Sequence, residues 1–283
     1  MTGPVSGAAG AEGQEAAPAS GDTCITPPGG ATRIAPARGA TRIARAAMHA
    51  HSLWSHDGRW PLGRVARLFG AMGCEAVLMS EHDTGFAFDR WDEYAAACAA
   101  ASTARCRLIP GIEWSSPDND WHFPSWGMGP AAEGRPVEAI LEHVAASKGA
   151  AVLAHPRRRE VWRRFDRAWV PHLAGVEVWN RKSDGLAGFG PAWAIARDHG
   201  LPPLAGVDFH GPKQVWPAFA LFEIGAGEAL TPEVAVQALR GGRARPAFGA
   251  RTLVDADGAR DEALHARMER MERARVRLMP LRR

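Results

Sequence analysis

The sequence predicts an α/β protein, a TIM-like barrel, and three observations predict it. Short apolar strand-like runs alternate with helix-spaced apolar faces along most of the 283 residues. Such alternation argues a parallel sheet with helical crossovers. Polar clusters rich in His, Asp and Glu stand just after several of the runs, as expected where active groups collect at the C-terminal ends of barrel strands. The length suits one domain of that kind. A doubly wound open sheet is the alternative. It is disfavoured because the clusters come from nearly every strand rather than from one switch point.

The elements follow in order. Residues 1–45 are rich in Ala, Gly, Pro and Thr, carry the repeat Gly-Ala-Thr-Arg-Ile-Ala at 30–35 and 39–44, and read as a disordered leader. The second copy can run into a first strand, Ile43–Met48. Leu62, Val65, Leu68, Phe69 and Met72 share one helix face that Gly73 ends. Ala76–Met79 reads as a strand, 90–103 as an Ala-rich helix, and Arg107–Ile112 as a strand delivering Glu113. The stretch Asp118–Met128 reads as a polar loop carrying His122. Val137, Ile140, Leu141 and Val144 mark a helix, Ala150–Ala154 a strand, and Val176–Trp179 a strand. A helix near 191–199 and a strand at Leu204–Val207 follow, then a strand at Ala218–Ile224. A helix over Thr231–Leu239 has Thr231 as cap and Pro232 at its first position. The expected domain spans 46–255, and residues 256–283 form a basic helical tail, read chiefly as solvated.

Composition bounds the function. A net charge of +3 is too small to argue a nucleic-acid binder by itself. The cysteines Cys24, Cys74, Cys98 and Cys106 show no CxxC spacing and read as thiols in a reducing compartment. No apolar run approaches the ~20 residues of a membrane span, and no secretory pattern opens the chain, so the expectation is a cytoplasmic protein with no membrane partner. Gly-rich phosphate loops are absent, so no nucleotide cofactor is implied.

The chemistry centres on His49-Ala50-His51. On an extended strand, side chains two apart share a face, and two neutral imidazoles converging on a point are half of a metal site. Further along stand Asp57-Gly58, Ser80-Glu81-His82-Asp83-Thr84, Gly111-Ile112-Glu113, His122, Ala154-His155-Pro156, Gly175–Asn180 and Gly206–His210. In this order the motifs resemble the PHP family (polymerase and histidinol phosphatase domain) over roughly 45–250. The resemblance implies a distorted (β/α)7 barrel, a trinuclear metal centre and hydrolysis, most often of phosphate esters, by hydroxide generated on the metals. It implies that His49, His51, Glu113 and Asp208 hold a first ion. Glu113 would bridge to a second held by His122 and His155, and Asp57, His82 and His210 would hold a third. Two to three divalent ions are expected, with zinc, manganese and iron all compatible with mixed His and carboxylate donors.

The chain departs from the family pattern in three places. Ala47-Met48 replaces Asp-Leu before the first His, Ser80-Glu81-His82 replaces Thr-Asp-His, and Ser55-His56-Asp57-Gly58 is one residue longer than Ser-Asp-Gly. The last leaves His56 as an alternative to Asp57. Asp208 and Glu81 are the candidates for assisting proton transfer. Arg157 and Arg158, with Asn180 and Arg181, are the candidates for substrate contact, since Arg forks suit phosphate oxygens. Lys182 is a weaker candidate of that kind. Trp54, Trp114, Trp121, Trp126 and Trp179 belong either to the core or to an aromatic-lined pocket. The expected substrate is a small phosphate ester or nucleotide, with nucleic acid entering only as a substrate. A PHP-fold hydrolase of carboxylic or carbamate esters or amides, and a non-catalytic metal-binding or partner-binding module, are the alternatives.

Overall fold

The computed structural model describes residues 39–129, 134–185, 188, 190–255 and 258–278. Up to residue 38 the expected leader, with the first repeat copy, lies outside them.

The second repeat copy opens β1 (Thr41–Ala50), so the first strand begins before the boundary expected at 46. Then come α1 (Leu62–Ala71), β2 (Ala76–Met79), β3 (Glu81–His82), α2 (Trp91–Ala101), β4 (Arg107–Ile109) and β5 (Gly111–Ser115). They are followed by β6 (His122–Trp126), α3 (Val137–Ala146), β7 (Ala150–Leu153), β8 (Leu173–Asn180), α4 (Arg181–Asp184) and α5 (Gly190–Asp198). The described chain finishes with β9 (Pro203–Gly206), β10 (Ala218–Gly225), α6 (Pro232–Arg240), β11 (Ala244–Phe248), β12 (Arg251–Thr252) and α7 (Glu262–Leu278).

The strands form two six-stranded sheets, ordered β12-β11-β10-β1-β2-β4 and β3-β5-β6-β7-β8-β9. Both are mixed. β1 pairs parallel with β2 but antiparallel with β10, and β6 is antiparallel to β5 and β7. The expected parallel pairing holds for part of each sheet, and antiparallel strands complete both. The stretch read as a loop folds instead as a hairpin, because His122–Trp126 pairs back on Gly111–Ser115. At the site end the sheets meet. The Val207 and Phe209 amides donate to the Met48 and His49 carbonyls, and the His51 amide donates to the Phe209 carbonyl. β2 passes directly into the second sheet through Ser80, whose amide donates to the Ala50 carbonyl. The result is a distorted α/β barrel.

Alternation along the strands sorts the core. Ala44, Ala46 and Met48 of β1 point inward with Ala76, Leu78, Ala150, Val152, Ala220 and Phe222, and mostly small residues suit a narrow interior. α6 packs against β7, β8 and β10, strands of both sheets, and adds Ala235, Ala238 and Leu239 to this inner cluster. The other strand faces pack outward on the helices, with Phe69 of α1 edge-on to Phe209 at 5.4 Å. α7 is not the solvated helix the composition suggested. Its Leu264 and Met268 are buried in the outer cluster.

Candidate metal centre

His49 and His51 converge, but not by simple strand alternation. The β1–β2 register shifts between Met48 and Ala50, and His49 takes φ 65° there, while His51 lies just beyond the strand. The bulge turns both imidazoles to one side, with ring centroids 5.2 Å apart. His155 (φ 28°) and Asp208 (φ 49°) share the left-handed region, unusual for non-glycine residues. Three of the converging side chains thus sit on backbone held away from its relaxed state, a pattern typical of functional sites.

Glu113 is the centre of the cluster. Its Oε1 lies 2.8 Å from His122 Nδ1, 3.0 Å from His155 Nε2 and 3.2 Å from His49 Nε2. Its Oε2 lies 3.0 Å from His82 Nδ1 and 3.5 Å from His51 Nε2. Asp208 Oδ1 is 3.2 Å from His210 Nδ1 and 3.6 Å from His51 Nε2. Asp57 closes the outer side, 3.2 Å from His82 Nε2 and 3.1 Å from His210 Nε2. Three groups among the described residues present nitrogen and oxygen atoms close enough to hold an ion: His49, His51 and Asp208; His49, Glu113 and His155; and His51, His82 and His210. All nine residues expected as ligands come together. His56 is exposed, its ring 5.2 Å from that of His82, and it is the carboxylate of Asp57 that lies between His82 and His210.

The donor set fits divalent ions. His49 Nε2 and His51 Nε2 are buried with no hydrogen-bond partner, although carboxylate oxygens lie near both. An orphaned buried nitrogen is costly unless something else takes its lone pair. A set of imidazole and carboxylate donors would suit divalent ions such as zinc, manganese or iron.

Electrostatics agree. Burial alone would raise the Glu113 carboxyl, but the imidazoles around it, His49 and His122 foremost, hold it well below the usual carboxylate range. Asp208 is likewise held low against burial by His49 and Lys182. Burial and the neighbouring His210 and His82 keep His51 well below the ordinary histidine value, and burial keeps His122 low. Both are therefore neutral, the form that ligates metal. Against its own burial, hydrogen bonds to Asp57 and Glu113 push His82 up to about 10. Against burial as well, the carboxylates of Glu177, Glu113 and Asp208 raise His49 well above its ordinary value.

A layer of partners orients the rings. His49 Nδ1 is 2.8 Å from Glu177 Oε1, which leaves Nε2 facing the cluster. Glu177 Oε2 accepts from the His155 amide and from Asn180 Nδ2. The fit leaves no room for a larger residue at Gly206, where a Cβ would fall 2.0 Å from Glu177 Oε1. Ser55 Oγ lies 3.3 Å from His51 Nδ1 and donates to Glu81 Oε2.

Several sequence expectations are thereby reassigned. Glu81 is fully buried and its carboxylate is occupied by Ser52 and Ser55, so it braces the loop under His51 and does not reach the reacting region. Asn180 is also fully buried; it holds Glu177 and caps α4 through the Lys182 and Ser183 amides, and it touches no substrate space. Arg181 stacks over Trp216 at 5.5 Å instead of entering the pocket. Arg157 is not in the pocket wall, whereas Arg158 is. Trp114, Trp126 and Trp179 are core residues, and the pocket has no Trp in its lining. The pocket has a volume of about 310 Å³, with His82, Glu113, His122, His155 and Asp208 among its walls. His56 and Asp57 line its outer side, and Arg158, Lys182, Asn119, Ser115, Thr84 and Ser183 complete the part a ligand would meet. Asn119, Ser115 and Ser183 carried no motif. The only sequence signal for Asn119 was a turn-forming Asp-Asn-Asp tract.

No family model matches the chain, and no curated protein matches it. Solved structures do. A two-domain protein from Bacteroides vulgatus containing a predicted PHP-like metal-dependent phosphoesterase superposes with a TM-score of 0.59 at 18% identity, covering 81% of this chain and 70% of that one. The fold is PHP-like. PsfC from Pseudomonas syringae superposes with a TM-score of 0.57 at 16% identity, covering 84% of this chain and 100% of that one. The lesion-specific endonuclease EndoQ from Pyrococcus furiosus follows at 0.50 and 17% identity, with 75% of this chain and 58% of that chain covered.

Proposed function

We propose that the protein is a metal-dependent hydrolase of phosphate esters. The observation that carries this reading is Glu113, encircled by five imidazoles at the floor of a pocket whose walls also hold two cations, Arg158 and Lys182. Bound divalent ions supply Lewis acidity at a phosphoryl oxygen and lower the pKa of a water. His49, His51, Glu113 and Asp208 would hold one ion, Glu113 with His122 and His155 a second, and Asp57, His82 and His210 a third.

The protein's own groups do the rest. Lys182 Nζ, 3.5 Å from Asp208 Oδ1 and 3.2 Å from His210 Nε2, stands where it can neutralise a phosphate oxygen at the cluster. Arg158 enters from the His122 side, its Nη1 2.9 Å from His122 Nε2. Thr84, Ser115 and Ser183 offer hydroxyls to the ester's remaining oxygens. Asp208 stays ionised beside Lys182 and acts as ligand and as the anchor of that lysine. Two cations in the wall favour a phosphate over a neutral carboxylic ester. A space of about 310 Å³ admits a terminal phosphate, whether a small molecule or an oligonucleotide end presents it. The relatives' description as phosphoesterase and endonuclease is compatible with both.

Parallel assays on an aryl phosphate and an aryl carboxylate ester test the reading. Turnover of the phosphate, lost together with bound metal in His82→Ala, is expected. Turnover of the carboxylate ester alone would overturn it.

A further inference from the structure

Resting on the reading that His122 is a metal ligand, we propose that Asn119 is the positioning residue that fixes this imidazole. His122 aims Nδ1 at Glu113 Oε1, 2.8 Å away, so Nδ1 is the atom that faces the cluster. Its Nε2 lies 2.9 Å from Asn119 Oδ1. An amide oxygen accepts from a ring N–H. That bond holds the hydrogen on Nε2 and leaves the Nδ1 lone pair for an ion. Glu177 does the same for His49 from the opposite ring nitrogen.

The turn that presents Asn119 is built for the purpose. Ser116 Oγ donates to Asp118 and accepts from the Asp120 and Trp121 amides, and the Asn119 amide donates to the Ser116 carbonyl. Asn119 takes φ 55°, a conformation Asn tolerates better than most side chains. The arginine run after His155-Pro156 straps this turn from outside. Arg158 Nη1 donates to the Asn119 carbonyl, Arg159 to the Asp118 carbonyl and the Asp120 carboxylate, and Arg164 to the same carboxylate. Arg158 Nη1 also lies 2.9 Å from His122 Nε2. With the hydrogen on Nε2, the Asn119 carbonyl remains as the guanidinium's acceptor and the Asn119 side chain as the imidazole's. Much of the basic run is thus engaged in holding the turn.

The test uses the full chain and two substitutions that tolerate the left-handed backbone. Asn119→Gly removes the amide; Asn119→Asp keeps an acceptor. Cobalt and zinc titrations of the purified protein should show one bound equivalent weakened roughly 10- to 100-fold in Asn119→Gly, with the others unchanged, and near-normal affinity in Asn119→Asp. In the zinc-loaded wild type the His122 Nε2–H should give a slowly exchanging proton resonance, lost in Asn119→Gly. Unchanged affinities and an unchanged resonance in Asn119→Gly would overturn this inference and leave the phosphoesterase reading standing. A wild-type protein that binds no metal would overturn both.

Discussion

At the scale of single residues, the site depends on buried carboxylates whose partners are histidines. Gly206 is where this is most exposed to a small change. A methyl group there collides with Glu177, which holds His49 Nδ1. Gly206→Ala should weaken metal binding about 10- to 100-fold, read by titration with cobalt, while circular dichroism stays that of a folded protein. The raised values of His49 and His82 give a second prediction. The metal-free cluster carries protons at neutral pH, so loading must release them. Calorimetric titrations in buffers of different ionisation heat should show net proton release, and affinity should fall as pH is lowered. Stability of the metal-free protein has the matching sign. The His82 contribution is complete below the ordinary histidine value near 6.5 and is lost as pH rises through about 10.

At the scale of elements, what the sequence made legible was the order of strands and the clustered residues at their ends. Glu113, His155, Asp208 and His210 follow apolar runs, and their positions could be read from that alternation. The bulge at His49 could not, because a register shift is a pairing event between β1 and β2 and leaves no local mark in Met48-His49-Ala50. The hairpin at His122–Trp126 was hidden for a similar reason. Its strand is short, polar at one end and contains Pro124, so it forms because Gly111–Ser115 on one side and β7 on the other offer partners. For Glu81 and Asn180 the sequence carries no mark of their buried role, since a charged or amide side chain beside a motif looks the same whether it faces the pocket or a buried donor. The helices act on the site from behind. Phe69 of α1 is buried against Phe209, the neighbour of Asp208. Phe69→Ala should cost about 3–5 kcal/mol in denaturant unfolding. It should also loosen Asp208 enough to lower metal affinity.

At the scale of the molecule, the two mixed sheets close around the cluster, and the ends of the described chain both belong to that structure. β1 begins at Thr41, and Arg42 pairs with Glu75 at the start of β2. α7 buries Leu264 and Met268. Removing residues 257–283 should therefore lower stability by roughly 3–6 kcal/mol, the value of uncovering two such side chains, measured as a fall in the unfolding midpoint. A basic tail that served only a partner would leave the midpoint unchanged. The central claim concerns the cluster around Glu113, and metal content tests it most directly. Protein purified without chelator and analysed by elemental spectrometry should carry two to three equivalents of zinc, manganese or iron per chain. Protein that binds none, even after incubation with each of these ions, would contradict the account.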